Sequence, residues 1–386
     1  MFRQPSQKSK PSAIEIELTD VRFQLEGVPF AGIPMFVERN TQRLIFLPTE
    51  WMAYLAVTSG RVGSILTLKA YAHDLCAYLR FALSRQFDWK SPTEEFIGVY
   101  GKQLQRRGRK INTVKRALTV ICTFYEWAHR RGSIKTLPLG YETFRRSRHG
   151  MLLHYDDKEQ LSARAVVIPK GSRQERLPRY FTDEESIRII QPLSERDQLI
   201  VLWALYTGAR QHEIVALIVS QLPSVGETRA RPVVRVSLDV SKGSKGGDLF
   251  APRWLIDRTF QYMKLFDRTA LKRDALRRGV VAADNIFLSN RFGQLSTNTV
   301  YRMFKSAVKC AGLSGTFHDL RHTYAISMLD KLMRAAMKNE NEDGRNPLLI
   351  LKSLLRHSSL QTTERYLVAR EFYLTDIMSD AWELPM

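Results

Sequence analysis

Cysteine is scarce in this 386-residue chain: Cys76, Cys122 and Cys310 stand far apart and form no CxxC pair. That spacing excludes a disulfide framework and a zinc ribbon, and it predicts three buried thiols. The eight histidines are equally scattered, with no HExxH and no acidic cluster of the two-metal nuclease kind. Any chemistry here is therefore expected to need no metal and no cofactor. No stretch approaches the roughly 20 apolar residues of a membrane-spanning helix. The N-terminal MFRQPSQKSKPS also lacks the apolar core of a signal peptide. These absences predict a soluble, cytoplasmic protein without a membrane partner. SKGSKGGD superficially suggests a phosphate-binding loop, but it lacks the GxxxxGK(S/T) order and sits between two expected strands. No internal repeat is present.

Acidic residues are the other deficit, at 39 Asp and Glu against 59 Lys and Arg, for a net charge of +20. So basic a chain points to a polyanionic partner, with nucleic acid the first candidate. The excess is uneven: residues 101–150 carry 13 Lys and Arg against two Glu, a net +11. More than half of the surplus thus falls in about an eighth of the chain. Arg106, Arg107, Arg109, Lys110, Lys115, Arg116, Arg145 and Arg146 are the candidates for phosphate contacts. A solvated basic face is the alternative for such a block.

The length suggests two domains. Residues 1–48 read as an N-terminal extension or arm with short strand-like runs, VRFQL, IPMFV and RLIFLP. From 49 to 145 the period becomes helical. Leu68, Tyr71, Leu75, Tyr78 and Leu79 share one face, and Val114, Leu118, Ile121 and Tyr125 share another, which predicts a small helical bundle. Residues 146–178 are expected to form an exposed basic linker. A second domain, 179–370, opens on a capping box, Thr182 with Glu185, and continues as two apolar helices divided at Gly208. PVVRVSLDVSKGSKGGDLFAP then alternates as a β-hairpin with a basic tip, and NIFLS at 285–289 is the one later strand. Residues 371–386 form a short amphipathic tail suited to docking on a neighbouring subunit.

RHSSLQTTERY, residues 356–366, sets His357 nine places before Tyr366. A continuous helix would hold the two about 13 Å apart, so the chain must bend for both to reach one substrate atom. Ser358 with Gln361 is a capping-box pattern that can open a second short helix carrying Tyr366. Four further pieces belong with this one. YTGARQHEIVAL supplies Arg210 and Glu213, the hairpin tip supplies Lys242 and Lys245, and HDLRHTYA supplies His318 and Arg321 on one helical face. Taken singly, each has a bland reading as a surface ion pair, a solvated turn or a structural histidine.

As an ordered set these residues resemble the tyrosine recombinase, or phage-integrase, family: Arg in TGAR with its following Glu, Lys in a hairpin, HDLRH, and a His nine residues before a Tyr. The likeness runs from about 180 to 370, and residues 58–140 resemble the family's core-binding domain. It implies a mainly α fold with a small β-hairpin or sheet, in which a helical SAM-like DNA-binding domain precedes the catalytic domain and the two clamp a duplex. It also implies site-specific cleavage and rejoining of double-stranded DNA through a 3′-phosphotyrosyl intermediate, within a homotetramer that synapses two sites. A mobile-element or resolution role in a bacterial nucleoid, with other recombinases or a directionality factor as possible partners, belongs to the same implication.

Physical chemistry makes these residue types sensible. An attacked phosphodiester gains charge on its non-bridging oxygens, which Arg210 and Arg321 can clamp. The Tyr366 phenol, with a reference pKa near 10, needs a proton acceptor, for which His318 is the candidate. Lys242 would protonate the departing 5′ oxygen, with Lys245 as the fallback. His357 would donate to a phosphate oxygen, and Glu213 would orient Arg210 or a histidine. Tyr373 is the weaker choice of nucleophile, and Tyr206 and Tyr324 are expected in the core. Two features depart from the family pattern: Arg356 stands where glycine is usual, and 330–347 lengthens the interval before His357 as a surface loop or helix extension. The alternatives are a type IB topoisomerase and a non-cleaving DNA-binding accessory protein of the same fold.

Overall fold

The computed structural model describes residues 14–25, 27–60, 62, 64–146, 159–164, 177–224, 231–238, 246–265, 267–338 and 346–374; for 141–146 and 159–164 only the strand pairing is described. The chain divides into two units, residues 1–173 and 174–386.

In the first unit, β1 (Ile14–Leu18) pairs antiparallel with β4 (Pro34–Glu38), placing Ile16 opposite Phe36. Between them the short β2 (Gln24–Leu25) and β3 (Val28–Pro29) form a second ladder. Four helices follow: α1 (Phe46–Val57), α2 (Ile65–Ser84), α3 (Glu94–Arg106) and α4 (Ile111–Arg130). Local chemistry starts two of them. The Ser64 hydroxyl caps α2 by accepting from the Leu66 amide, and Thr93 caps α3 from the Phe96 amide, with Glu94 and Glu95 at the positive end of the helix dipole. The apolar faces of α2 and α4 meet in a core where the Tyr125 hydroxyl, cut off from water, donates to the Trp89 carbonyl at 2.8 Å. Ile14, Ile33 and Phe36 lie in that same core beside Trp51 and Leu75, with Phe36 fully buried. The N-terminal strands, read from the sequence as an extension or arm of short strand-like runs, therefore take part in the bundle's packing. RLIFLP is also not a strand: α1 begins at Phe46, and Pro48 sits in its first turn, where its missing N–H breaks no helical bond. Further on, β5 (Tyr141–Arg146), at the end of the region expected to be helical, pairs antiparallel with β6 (Glu159–Arg164), in the region expected to be an exposed basic linker.

The second unit begins with α5 (Asp183–Ile190), whose Thr182–Glu185 capping box is formed in both directions. Next, α6 (Glu195–Thr207) buries Leu199, Ile200, Val201, Leu202, Trp203 and Ala204 in succession, so it is wrapped on all sides. It stops at Gly208, in the left-handed region at φ 64°, and α7 (Gln211–Ala216) starts three residues later. Strands β7 (Val233–Leu238) and β8 (Gly247–Pro252) form the expected hairpin ladder. The tip carrying Lys242 and Lys245 lies outside the described residues. Helices α8 (Arg253–Leu265), α9 (Asp267–Arg277) and α10 (Thr297–Cys310) lead to the long α11 (Phe317–Lys338), then α12 (Pro347–Leu354) and α13 (Gln361–Leu374).

NIFLS forms no strand; Asn285 and Leu288 make isolated bridges, while Ile286, Phe287 and Leu288 fill the core. The extra residues from 330 extend α11 to Lys338. Cys76 and Cys122 are buried as expected, but Cys310 at the end of α10 is exposed. Tyr324 is buried, whereas Tyr206 is 44% exposed and packs edge-on against Trp254. Residues 375–386, which include most of the expected docking tail, lie outside the described residues. No helix among the described residues is long and apolar enough to cross a membrane.

The packing of Phe36 yields a test of the arm. Phe36→Ala should destabilise the first unit by about 3–5 kcal/mol in chemical denaturation. A loosely attached arm would lose less than about 0.5 kcal/mol.

Candidate active site

Four chain segments build one cleft in the second unit. The α6–α7 turn and the first residues of α7 supply Arg210, Gln211 and His212; the start of α11 supplies His318 and Arg321; the α12–α13 turn supplies Arg356, His357 and Ser358; and α13 supplies Thr362. The wider part of the cleft, about 430 Å³, is lined by Arg210, Glu213, Arg356 and His357 among others. An adjoining recess of about 210 Å³ is bounded by Arg210, His318 and Arg321.

Arg321 is almost wholly buried, at 2% exposure, and its two terminal nitrogens donate to the carbonyls of Gly208 and Leu355. Those carbonyls end α6 and α12, so one guanidinium ties two helix termini together and satisfies their orphan acceptors. Gly208 is required by space as well as by φ: a Cβ there would come within 2.4 Å of the Tyr324 ring. Burial and the nearby charge of Arg210 lower the Arg321 pKa to about 10, which leaves it cationic at neutral pH.

Glu213 organises the opposite wall. Its carboxylate accepts from the Arg210 backbone N–H at 2.7 Å and from the Arg210 guanidinium at 2.8 Å. Arg356 donates to the same carboxylate at 2.6 Å. Burial opposes the Glu213 charge, but Arg356 and both Arg210 donors outweigh it and hold the carboxyl below its ordinary range. Of the two partners expected for Glu213, Arg210 is the one its carboxylate bonds.

The bend anticipated in RHSSLQTTERY is present. His357 and Tyr366 face each other with ring centroids 6.2 Å apart and nearly parallel planes, 14° between them. Arg356 turns the chain at φ 53°, and α13 begins at Gln361. Ser358 lies too far upstream to cap that helix. The bridge's hydroxyls serve instead through the fully buried Thr363, whose Oγ1 is 3.0 Å from His357 Nδ1 and fixes that ring.

Tyr366 is buried, and its hydroxyl lies 2.9 Å from Nδ1 of His322. The expected partner of the phenol was His318. His318 instead stands exposed, edge-on to His322 at 4.6 Å between centroids, so it adjoins the ring that touches the phenol. The clue to His322 was present in HDLRH, because positions 318, 321 and 322 share one helical face. Burial pushes the Tyr366 pKa up against the pull of Arg321, Arg365 and Arg210. Burial, then His318 and the surrounding arginines, push His322 down to about 3; burial and Arg321 push His357 down to about 4. Both imidazoles are neutral at pH 7, so each presents one donor and one acceptor nitrogen.

Behind the tyrosine, buried Arg370 clamps α13 to α11 by donating to Asp330 at 3.0 Å, and Arg334 joins the same carboxylate at 2.7 Å. Tyr373 packs against Tyr180 and Phe372, away from the histidines.

The basic candidates of the first unit separate. Arg106, Arg107, Arg109 and Lys110 are exposed around the α3–α4 turn, and Lys115 is half-buried. Arg116 is exposed but donates bidentately to Asp74, at 2.7 and 3.2 Å. Arg145 and Arg146 fall on β5, where the pairing alone is described.

Residues 179–371 match the phage integrase family, and residues 49–132 match the phage integrase N-terminal SAM-like domain. The chain belongs to the phage integrase family. Tyrosine recombinase XerC of Caldanaerobacter subterraneus subsp. tengcongensis is 29% identical over 221 residues, covering 53% of this chain and 54% of that protein. Tyrosine recombinase XerA of Pyrococcus furiosus is 28% identical over 216 residues, covering 54% of this chain and 62% of that protein. The chain thus spans little more than half the length of these two relatives. Tyrosine recombinase XerC of Thermodesulfovibrio yellowstonii, at 24% identity, matches over 85% of this chain and 92% of its own. Among solved structures, the fold is shared with lambda integrase bound to DNA, with a TM-score of 0.54 and 17% identity over 86% of this chain and 98% of that one. It is also shared with the XerH site-specific recombinase bound to its difH substrate, with a TM-score of 0.52 and 17% identity over 87% and 84%.

The depressed histidines set a pH dependence. Between the ordinary value near 6.5 and their folded values, the unfolded chain takes up protons that the folded site refuses, so stability falls as pH falls. The loss should begin below about pH 6.5 and continue to about 4 for His357 and about 3 for His322. Urea denaturation of the second unit's transition between pH 7.5 and 4.5 checks this. Replacing His322 with Gln should flatten the slope.

Proposed function

We propose that this protein is a site-specific DNA recombinase that cuts and rejoins duplex DNA through a 3′-phosphotyrosyl intermediate, with Tyr366 as nucleophile. The observation that carries the reading is the Tyr366 hydroxyl bonded to neutral His322 beside Arg210, Arg321 and His357, in a chain of the phage integrase family. Arg210 and Arg321 hold the non-bridging oxygens of the scissile phosphate, where the transition state gathers charge. His357 donates to a phosphate oxygen through the ring nitrogen not facing Thr363.

His322, with His318 beside it, receives the phenolic proton. A pKa near 3 makes His322 a poor base in the free protein. An arriving phosphate offsets the arginine field and raises that basicity, which ties proton removal to the presence of substrate. The phenol is 2% exposed, so engagement of DNA must also uncover it. Lys242, with Lys245 as fallback, protonates the 5′ oxygen as it leaves, and resealing reverses the steps with the phosphotyrosine bond supplying the energy.

In this reading residues 49–145 form the core DNA-binding domain, 146–178 the linker and 179–370 the catalytic domain. Exposed Arg106, Arg107, Arg109 and Lys110 contact phosphates, and 371–386 dock between subunits of a tetramer that pairs two DNA sites. Arg116, already paired with Asp74, contributes less.

The test is a covalent trap. The protein is mixed with DNA flanking its own gene and stopped with SDS, and wild type is compared with Tyr366→Phe. Protein-linked DNA at one position in wild type alone is expected, and His322→Gln should lower its formation at least tenfold at pH 7. Dispersed adducts would instead indicate a topoisomerase, and tight binding with no adduct an accessory protein.

A further inference from the structure

Arg356 does something that its place in the chain does not require. Its backbone lies in the left-handed region at φ 53°, where glycine rests without strain and a residue with a Cβ does not. The side chain then runs back across the site to two other elements. Its Nη2 donates to Glu213 Oε2 at 2.6 Å, and both side chains are only 12% exposed. Its Nη1 donates to the Asp248 carbonyl at 3.1 Å, at the start of β8. Its aliphatic stem lies over Gly247, so closely that a Cβ there would come within 2.6 Å of Arg356 Cδ. Gly247 pairs with Leu238 as the last rung of the β7–β8 ladder before the tip.

We infer that Arg356 is a positioning residue that ties the root of the β7–β8 hairpin to the Glu213–Arg210 pair and to the His357 turn. The inference rests on the recombinase reading for its catalytic consequence, but the tether itself does not. Both terminal nitrogens of Arg356 are already engaged with protein acceptors, so the guanidinium holds the frame and leaves the phosphate to Arg210 and Arg321. Through this frame the hairpin that presents Lys242 and the arginine that meets the phosphate share one rigid link. Glu213 is the joint: the same carboxylate that orients Arg210 receives Arg356. Gly247 completes the fit, because any side chain at that position would push the stem away.

The experiment compares wild type, Arg356→Gly and Arg356→Met as full chains. Glycine suits the backbone and removes the tether; methionine keeps the stem over Gly247 and removes only the donors. Amide hydrogen exchange is read at 247–252 and, as an internal control, in α2 and α4. Both variants should lose at least tenfold protection in β8 with the controls unchanged, and unchanged β8 protection in the folded variants would overturn the tether. In the covalent trap, the rate of adduct formation at saturating DNA should fall tenfold or more, with less than a threefold change in the DNA concentration giving half the maximal rate. Weakened DNA binding with an unchanged saturating rate would make Arg356 a phosphate ligand and overturn the proposal. If wild type forms no adduct, the recombinase reading fails while the exchange result still decides the tether.

Discussion

The buried guanidinium of Arg321 is the constraint on which the rest of the site depends. A cation in the interior is costly unless its donors are met, and here they are met by two backbone carbonyls that helix geometry leaves without partners. One residue therefore joins the end of α6 to the end of α12 and places positive charge in the floor of the recess. Its charge adds to the burial that keeps His322 and His357 neutral, and it opposes the effect of burial on Tyr366. Packing and electrostatics are not separable in this part of the molecule.

The second level of organisation is a carboxylate with two cationic partners. Glu213 fixes Arg210 through both backbone and side chain and receives Arg356 from the far side. A buried acid holding two arginines is stable in its charged form, and it converts two flexible side chains into defined directions. The tyrosine helix is held by the same kind of arrangement behind the site, where Asp330 receives Arg334 and Arg370. The cleft is thus framed by ion pairs, of which Arg210 is the member that also lines the recess.

Much of this could be read from residues alone, wherever the determinants are local. The Thr182–Glu185 cap, the break at Gly208, the β7–β8 hairpin and the apolar faces of α2 and α4 follow from short-range periodicity and backbone preference, and the structure contains each of them. The bend between His357 and Tyr366 was also legible, since no straight helix could unite them. What escaped was non-local. Ile14 and Phe36 enter the helical core because of what lies across from them, which period-two alternation cannot reveal. Arg356 was visible only as an oddity, because its partners are more than 100 residues away. His322 is different: helical spacing in HDLRH places it on the same face as His318 and Arg321, so its position was legible from local sequence.

The long sequence separations within the site bear on its assembly in time. Arg321 reaches back 113 residues to Gly208, Arg356 reaches back 143 to Glu213, and Tyr366 meets His322 across 44. Closing such loops is slow compared with forming single helices, so the cleft is expected to organise late in folding, after the α6 core has condensed. In order of synthesis, Tyr366 also follows Arg210, His318, Arg321, His322 and His357. Under the proposed function, a nascent chain accordingly acquires its phosphate-binding arginines before its nucleophile, and an unfinished product has nothing with which to break a strand.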